Sequence, residues 1–367
     1  MTRMRSLCAR ALLLAMAVAV MPGAVAQEGW IDLFDGETLF GWQQLGNLEW
    51  QVENGAMACK HVRGAAGWIA TTSVFADFEL SAKIRVGDGG STAVAVRAGL
   101  DGHPSENGAS WITLSEPERS KPAFRDVAIT AKGDSVTATV DGQSVEIQGG
   151  GAACGHVGVL YHCSGKIEVQ EMKLRPLDMT PIFNGKDLEG WNVIPDHASV
   201  FSVVDGAINI KNGNGQIETA NVYRDFVLQM SIFSNGDHLN SGVFFRGPVG
   251  EFWRGYESQV RNEWRQDDRT KPVDFGTGGI YGDQEARKVM SSDREWFEKT
   301  LVCHGNHMAV WINGHQVSDW LDMRLVSESW NGKEGYVPGP GTIHLQGHDP
   351  TTDLSFKDIR IQTYPTE

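Results

Sequence analysis

The segment Gly255-Tyr256-Glu257-Ser258-Gln259-Val260 alternates, so on a strand Glu257 and Gln259 project from the same face. A carboxylate beside an amide suits a polyhydroxylated ligand. The first takes a proton or accepts hydroxyl hydrogen bonds, and the second both donates and accepts. Asn240-Ser241-Gly242-Val243-Phe244-Phe245-Arg246 reads as a polar turn entering a strand that delivers Arg246. Gly279-Ile280-Tyr281-Gly282 adds a phenol, and Leu345-Gln346-Gly347-His348 ends a strand with an amide and an imidazole. Glu257 and His348 are therefore the candidate catalytic groups. Asn240, Arg246, Gln259, Tyr281 and Gln346 are the candidate ligand-binding groups. The sequence has no HExxH, GxxxxGK[ST], GxSxG or strand-linked GxGxxG, which removes common zinc-peptidase, nucleotide and serine-hydrolase chemistries. It also lacks the ExDxxE or ExDxE strand that would arm an ordinary sandwich glycosidase.

The elements that must position these residues come as a repeat spaced by about 150 residues. Leu33-Phe34-Asp35-Gly36 through Gly41-Trp42 returns as Ile182-Phe183-Asn184-Gly185 through Gly190-Trp191. Asp77-Phe78 returns as Asp225-Phe226, Val94 to Arg97 as Val243 to Arg246, and Val140-Asp141-Gly142 as Ile312-Asn313-Gly314. Asp-Gly and Asn-Gly tolerate the two positive φ angles of a type I′ hairpin turn. Short alternating runs around such turns predict an all-β fold, with one two-sheet sandwich per copy. The copies are placed at 27–175 and 180–367, joined near Arg175–Pro181. Copy two carries extra segments around 251–290 and 317–341, rich in Trp and Tyr, which are expected to be functional rim insertions. Aligning Gly108 with Gly255 sets Ser110 opposite Glu257 and Ile112 opposite Gln259, so copy one is expected to lack the chemistry.

Composition narrows the partners. The 367 residues carry a net charge of −14 with no long basic run, which argues against nucleic acid or an anionic membrane surface. Forty-three glycines, 12 tryptophans and no long amphipathic pattern agree with turn-rich β structure. Arg3, Arg5 and Arg10, the apolar run Ala11 to Val20 and Ala24-Val25-Ala26 read as a secretory signal over 1–26. The expected mature chain starts near Gln27, is exported to the periplasm or beyond, and has no membrane span. Cys59, Cys154, Cys163 and Cys303 then remain, with Cys154 and Cys163 the nearest pair in sequence.

The motifs IFNGKDLEGW, NSGVFFRG, GYESQV, WING and LQGH followed by FKDIRI resemble the 3-keto-disaccharide hydrolase family, whose members are also described as 3-keto-glucoside 1,2-lyase/2-hydroxy-3-keto-glucal hydratase domains. The resemblance covers residues 180–364 and extends more weakly over 30–175. It implies two tandem concanavalin/laminin-G-like jelly rolls and a glycoside oxidised at C3 as substrate. A C3 ketone acidifies the C2 proton, so one general base and an enolate stabiliser are enough for elimination and hydration. Glu257 is the candidate base or metal ligand. No cofactor is fixed by the sequence, and a divalent metal is the one electrophile it leaves open. A non-catalytic glycan-binding protein is the competing reading. A conventional glycosidase would need a second carboxylate, such as Glu263 or Asp274.

Overall fold

The computed structural model describes residues 29–60, 67–116, 121–161 and 165–365. The signal over 1–26, Cys8 and Cys163 lie outside the described residues. Every strand pairing among them is antiparallel, and the one helix described is a single 3₁₀ turn at Pro104–Glu106. The all-β expectation holds: the chain forms two tandem jelly-roll-like sandwiches. An eight-stranded and a six-stranded sheet use strands up to Ile167–Pro176. An eight-stranded and a five-stranded sheet use those from Thr180–Pro181 onward.

Alternation places the cores. Along Phe78–Val86, Phe78, Leu80, Ala82, Ile84 and Val86 are buried, while Glu79, Ser81, Lys83 and Arg85 are half-buried between them. The two expected hairpins form. Val140 pairs with Gln143 across Asp141-Gly142, and Ile312 with His315 across Asn313-Gly314. The four turn residues have φ of 51°, 76°, 51° and 82°, the signs that a type I′ turn demands.

A buried arginine recurs in both copies at a β-bulge. Arg97 and Arg246 have φ of 54° and 55°, and the ladder shifts register at each. Arg97 donates to the Ala76 and Gly133 carbonyls and to Asp77 Oδ1, while Arg246 donates to the Arg224 and Val337 carbonyls and to Asp225 Oδ1. Asp77 also accepts from the Gly133 amide and Asp225 from the Gly305 amide, each in a hairpin turn. The clamp ties bulge, strand and hairpin together.

The copies share apolar contact as well as a chain. Val227, Val302, Ala309, Trp311 and Tyr364 of copy two belong to the same buried cluster as Ile31, Phe75 and Phe78 of copy one. Polar contacts frame it: Trp311 Nε1 to the Asp32 carbonyl at 2.9 Å, Thr72 Oγ1 to Asp319 Oδ1 at 2.7 Å, and an Arg287–Asp35 ion pair at 2.8 Å. Only Leu177–Met179 separate the last strand of one copy from the first of the next. A fragment starting at residue 178 is expected to melt below the full chain and to self-associate, because Val227, Val302 and Trp311 lose their cover. Calorimetry with sedimentation checks this; equal melting temperatures and a monomeric fragment would show that the contact contributes nothing.

Candidate functional site

The five-stranded sheet of copy two turns one side to the core and the other to a polar row. Cross-strand partners run Asn192–Glu218–His344–Phe244–Glu257, with a parallel row Gln216–Gln346 and Gly242–Gln259. Glu218, His344, Glu257, Gln216, Gln346 and Gln259 are all buried. The open cleft lined by Thr180, Phe183, Glu189, Tyr223 and Thr363 lies off this face. Polar groups at this depth need partners or a ligand.

Glu257 is the most unusual of them. Burial pushes its pKa up to about 7, opposed by Lys333 and by a hydrogen bond from Trp253, and reinforced by the neighbouring Asp274. Lys333 Nζ stands 3.9 Å from Glu257 Oε2, 4.4 Å from the Trp253 ring centroid and 3.9 Å from that of Tyr281. Burial lowers the pKa of Lys333 from the usual lysine range, and Glu257 opposes that shift. Trp253, Asp274 and Tyr281 come from one insertion and Lys333 from the other, so both rim segments converge on this carboxylate. Gly242 makes room for it: a Cβ there would sit 2.3 Å from Glu257 Oε1.

The rest of the row is partly satisfied. Glu218 accepts from the Gly250 amide at 3.0 and 3.1 Å and from Thr342 Oγ1 at 2.9 Å. His344 contacts Thr342 Oγ1 at 2.6 Å, and burial drives its pKa down to about 4, so the ring is neutral at neutral pH. The Trp253 amide donates to Gln216 Oε1 at 2.7 Å, which fixes the orientation of that side chain. Asn240 and Gln259 both donate to Asp274 Oδ2, at 2.9 and 3.1 Å. Three buried atoms have no partner: Gln216 Nε2, Gln346 Oε1 and Asn240 Oδ1. One donor and two acceptors left open match what sugar hydroxyls require.

Of the residues singled out by sequence, Glu257, Gln259, Asn240, Tyr281 and Gln346 lie on or against this face. Arg246 does not. Its side chain is fully buried and spent on Asp225 and two carbonyls, because the bulge turns it away from the row. The recurrence of Arg97, where the other polar residues are lost, was the signal for a structural role. His348 lies beyond the strand end, exposed, 3.0 Å from Asp349 in the following turn; the imidazole in the row is His344, two residues before Gln346 on the same strand. Gln216, Glu218, Lys333 and His344 went unnoticed in sequence. Alternation within Thr342–Gly347 would have linked His344 to Gln346.

The alignment of copy one also needs correction by one residue. With Arg97 matched to Arg246, Ala95 corresponds to Phe244, and Ala95 pairs with Trp111, so Trp111 rather than Ser110 stands at the position of Glu257. Thr113 likewise replaces Gln259, and Ile112 points into the core. A one-residue slip exchanges sheet faces. On the true face, copy one carries Trp68, Ala70, Ala93, Ala95 and Leu160, an apolar cluster. The Trp68 ring lies over Gly158, where a Cβ would come within 2.5 Å of it.

Among the described residues no group of three His, Cys, Asp or Glu side chains converges on a metal-sized site, so the donor set for a divalent ion is not assembled there.

The family model for the 3-keto-alpha-glucoside-1,2-lyase-like domain matches residues 29–149 and 178–362, and the chain belongs to that family. The family ties it to carbohydrate chemistry. Among solved structures, a candidate glycosyl hydrolase from Parabacteroides distasonis ATCC 8503 is 23% identical, over 51% of this chain and 99% of that one, with a TM-score of 0.42. A second from the same organism is 24% identical over 52% and 85%, with a TM-score of 0.40. Carbohydrate binding module CBM66 from Bacillus subtilis is 14% identical over 51% and 98%, with a TM-score of 0.35. None of the curated proteins matches the chain. No helix among the described residues is long and apolar enough to cross a membrane.

Gly242→Ala tests the geometry directly. Ala93 occupies the equivalent position in copy one, so the fold should persist while Glu257 is displaced. A crystal structure of the variant with Glu257 unmoved against Trp253 would refute the role given to this glycine.

Proposed function

We propose that the chain is an exported carbohydrate-active enzyme that cleaves 3-keto-glycosides, with copy two as the catalytic unit. The observation that carries this reading is the buried carboxylate of Glu257 beside Lys333, on a face holding three unpartnered polar atoms. Export rests on the residues of 1–26, and the substrate class on the family.

Glu257, when ionised, takes the C2 proton of the bound sugar. The electron pair moves into a C2–C3 enolate, and the Lys333 ammonium beside Glu257 is the group that stabilises its oxygen. Collapse of the enolate restores the ketone, forms a C1–C2 double bond and expels the aglycone oxygen, which takes a proton from Glu257 or water. Addition of water hydroxyl at C1 and a proton at C2 completes hydrolysis. A base whose pKa lies near neutrality can accept and return that proton at little cost. Gln216, Gln346 and Asn240 orient the hydroxyls, and Trp253 and Tyr281 wall the site. Neutral His344 holds Thr342 and lines the floor of the row.

Aglycone release from a panel of glucosides and their 3-keto derivatives tests the reading. Release from the 3-keto forms alone is expected. Saturable binding without release from any member would instead make this a glycan-binding protein.

Two predictions concern the base. Glu257→Gln keeps the shape and removes the charge, so kcat/KM should fall about 10²–10⁴-fold with the fold intact; Thr113→Ala, at the copy-one position that matches Gln259, should leave turnover unchanged. Near-wild-type release by folded Glu257→Gln would remove the residue from the mechanism. Because the ionised form is the active one, kcat/KM should climb as pH rises through about 7 and level off above it. A profile flat between pH 5 and pH 8, roughly the span over which such a group would titrate, contradicts that assignment.

A further inference from the structure

Lys299 sits on Trp296–His304 in the eight-stranded sheet of copy two, with its side chain in the core and 1% exposed. It crosses to the facing sheet, where Nζ donates to the Ser258 carbonyl at 3.0 Å, Ser258 Oγ at 2.9 Å and the Gln259 carbonyl at 3.1 Å. All three ammonium protons are therefore used on the Tyr256–Val260 strand, from the side opposite to Glu257. We propose, on the reading that Glu257 is the general base, that Lys299 is a positioning residue: from the core it anchors the strand that carries Glu257 and supplies a positive charge beneath that carboxylate.

The first copy provides the control. Lys299 pairs with Ile312 and Met230, as Val127 pairs with Val140 and Ala82, so Val127 holds the equivalent core position. Ser258 pairs with Val243 as Ile112 pairs with Val94, which makes Ile112 its counterpart. The sandwich thus builds its core with an apolar pair at these two places when Trp111 replaces the carboxylate. Where the carboxylate is present, a lysine and a serine replace that pair. Packing alone does not call for a buried ammonium.

Electrostatics agree with the geometry. The charged groups facing Glu257 are Lys333 and Asp274 from the insertions and Lys299 from the opposite sheet, with the Tyr281 phenol at the rim. Burial lowers the pKa of Lys299 to about 7, and Glu257 is the group that opposes this. Each charge makes the other less costly to bury.

The test uses the chain without its first 26 residues, carrying isotope-labelled glutamate carboxyls, with Glu257→Gln identifying the Glu257 resonance by NMR. In Lys299→Met the midpoint of the Glu257 titration should rise by about one pH unit or more, since the carboxylate loses a cation. The double variant Lys299→Val with Ser258→Ile imports the apolar pair of copy one and should give the same shift. A midpoint unchanged in a folded variant overturns the proposal. So does failure of both variants to fold, which would make Lys299 a core-building residue. The titration needs no substrate, so a wild-type chain inactive on 3-keto-glycosides removes the catalytic reading of Glu257 without altering this result.

Discussion

Burying Glu257 carries a desolvation cost, and much of copy two is arranged around offsetting it. The carboxylate needs a missing side chain on the next strand, an indole N–H, an ammonium on the rim and a second ammonium under the sheet. These groups come from Gly242, Trp253, Lys333 and Lys299, spread over about 90 residues of sequence and both sheets of the sandwich. Their convergence requires the bulge at Arg246 to be held, because that bulge sets the register in which His344 faces Phe244 and Phe244 faces Glu257. The Asp225 clamp thereby acts on the site without touching it.

Copy one keeps the same scaffold without the carboxylate, and its sheet face changes character accordingly. Trp68, Ala70, Ala93 and Leu160 replace Gln216, Glu218, Gly242 and Gln346, and the face becomes a hydrophobic cluster. No orphaned amide remains among these positions, so nothing there calls for a hydroxyl-bearing ligand. The two faces differ in side chains while sharing bulge, hairpin turns and clamp. Fold and chemistry separate cleanly within one chain.

How far the sequence could be read depends on the range of each signal. Hairpin glycines, alternating strands and the ordered repeat are local, and they led to two sandwiches of the right type. Glu257 with Gln259 was legible because both lie two residues apart on one strand. Gln216, Glu218 and Lys333 were not, since only cross-strand register and loop closure bring them there. Arg246 looked functional because a polar residue in a strand motif gives no hint of a bulge that redirects it. The slip to Ser110 arose because Gly108 lies one residue farther from its strand than Gly255 does, and no local rule reveals that extra residue. Lys299 sits in a run that reads simply as strand; its meaning emerges only against Val127.

The three-residue link and the apolar contact around Trp311 have a mechanical consequence. Two modules joined so tightly have little freedom to hinge, and jaw-like closure of one over the other is a poor way to admit a sugar. Entry to the buried row must fall to the segments that roof it, where Trp253 is 47% exposed at the edge.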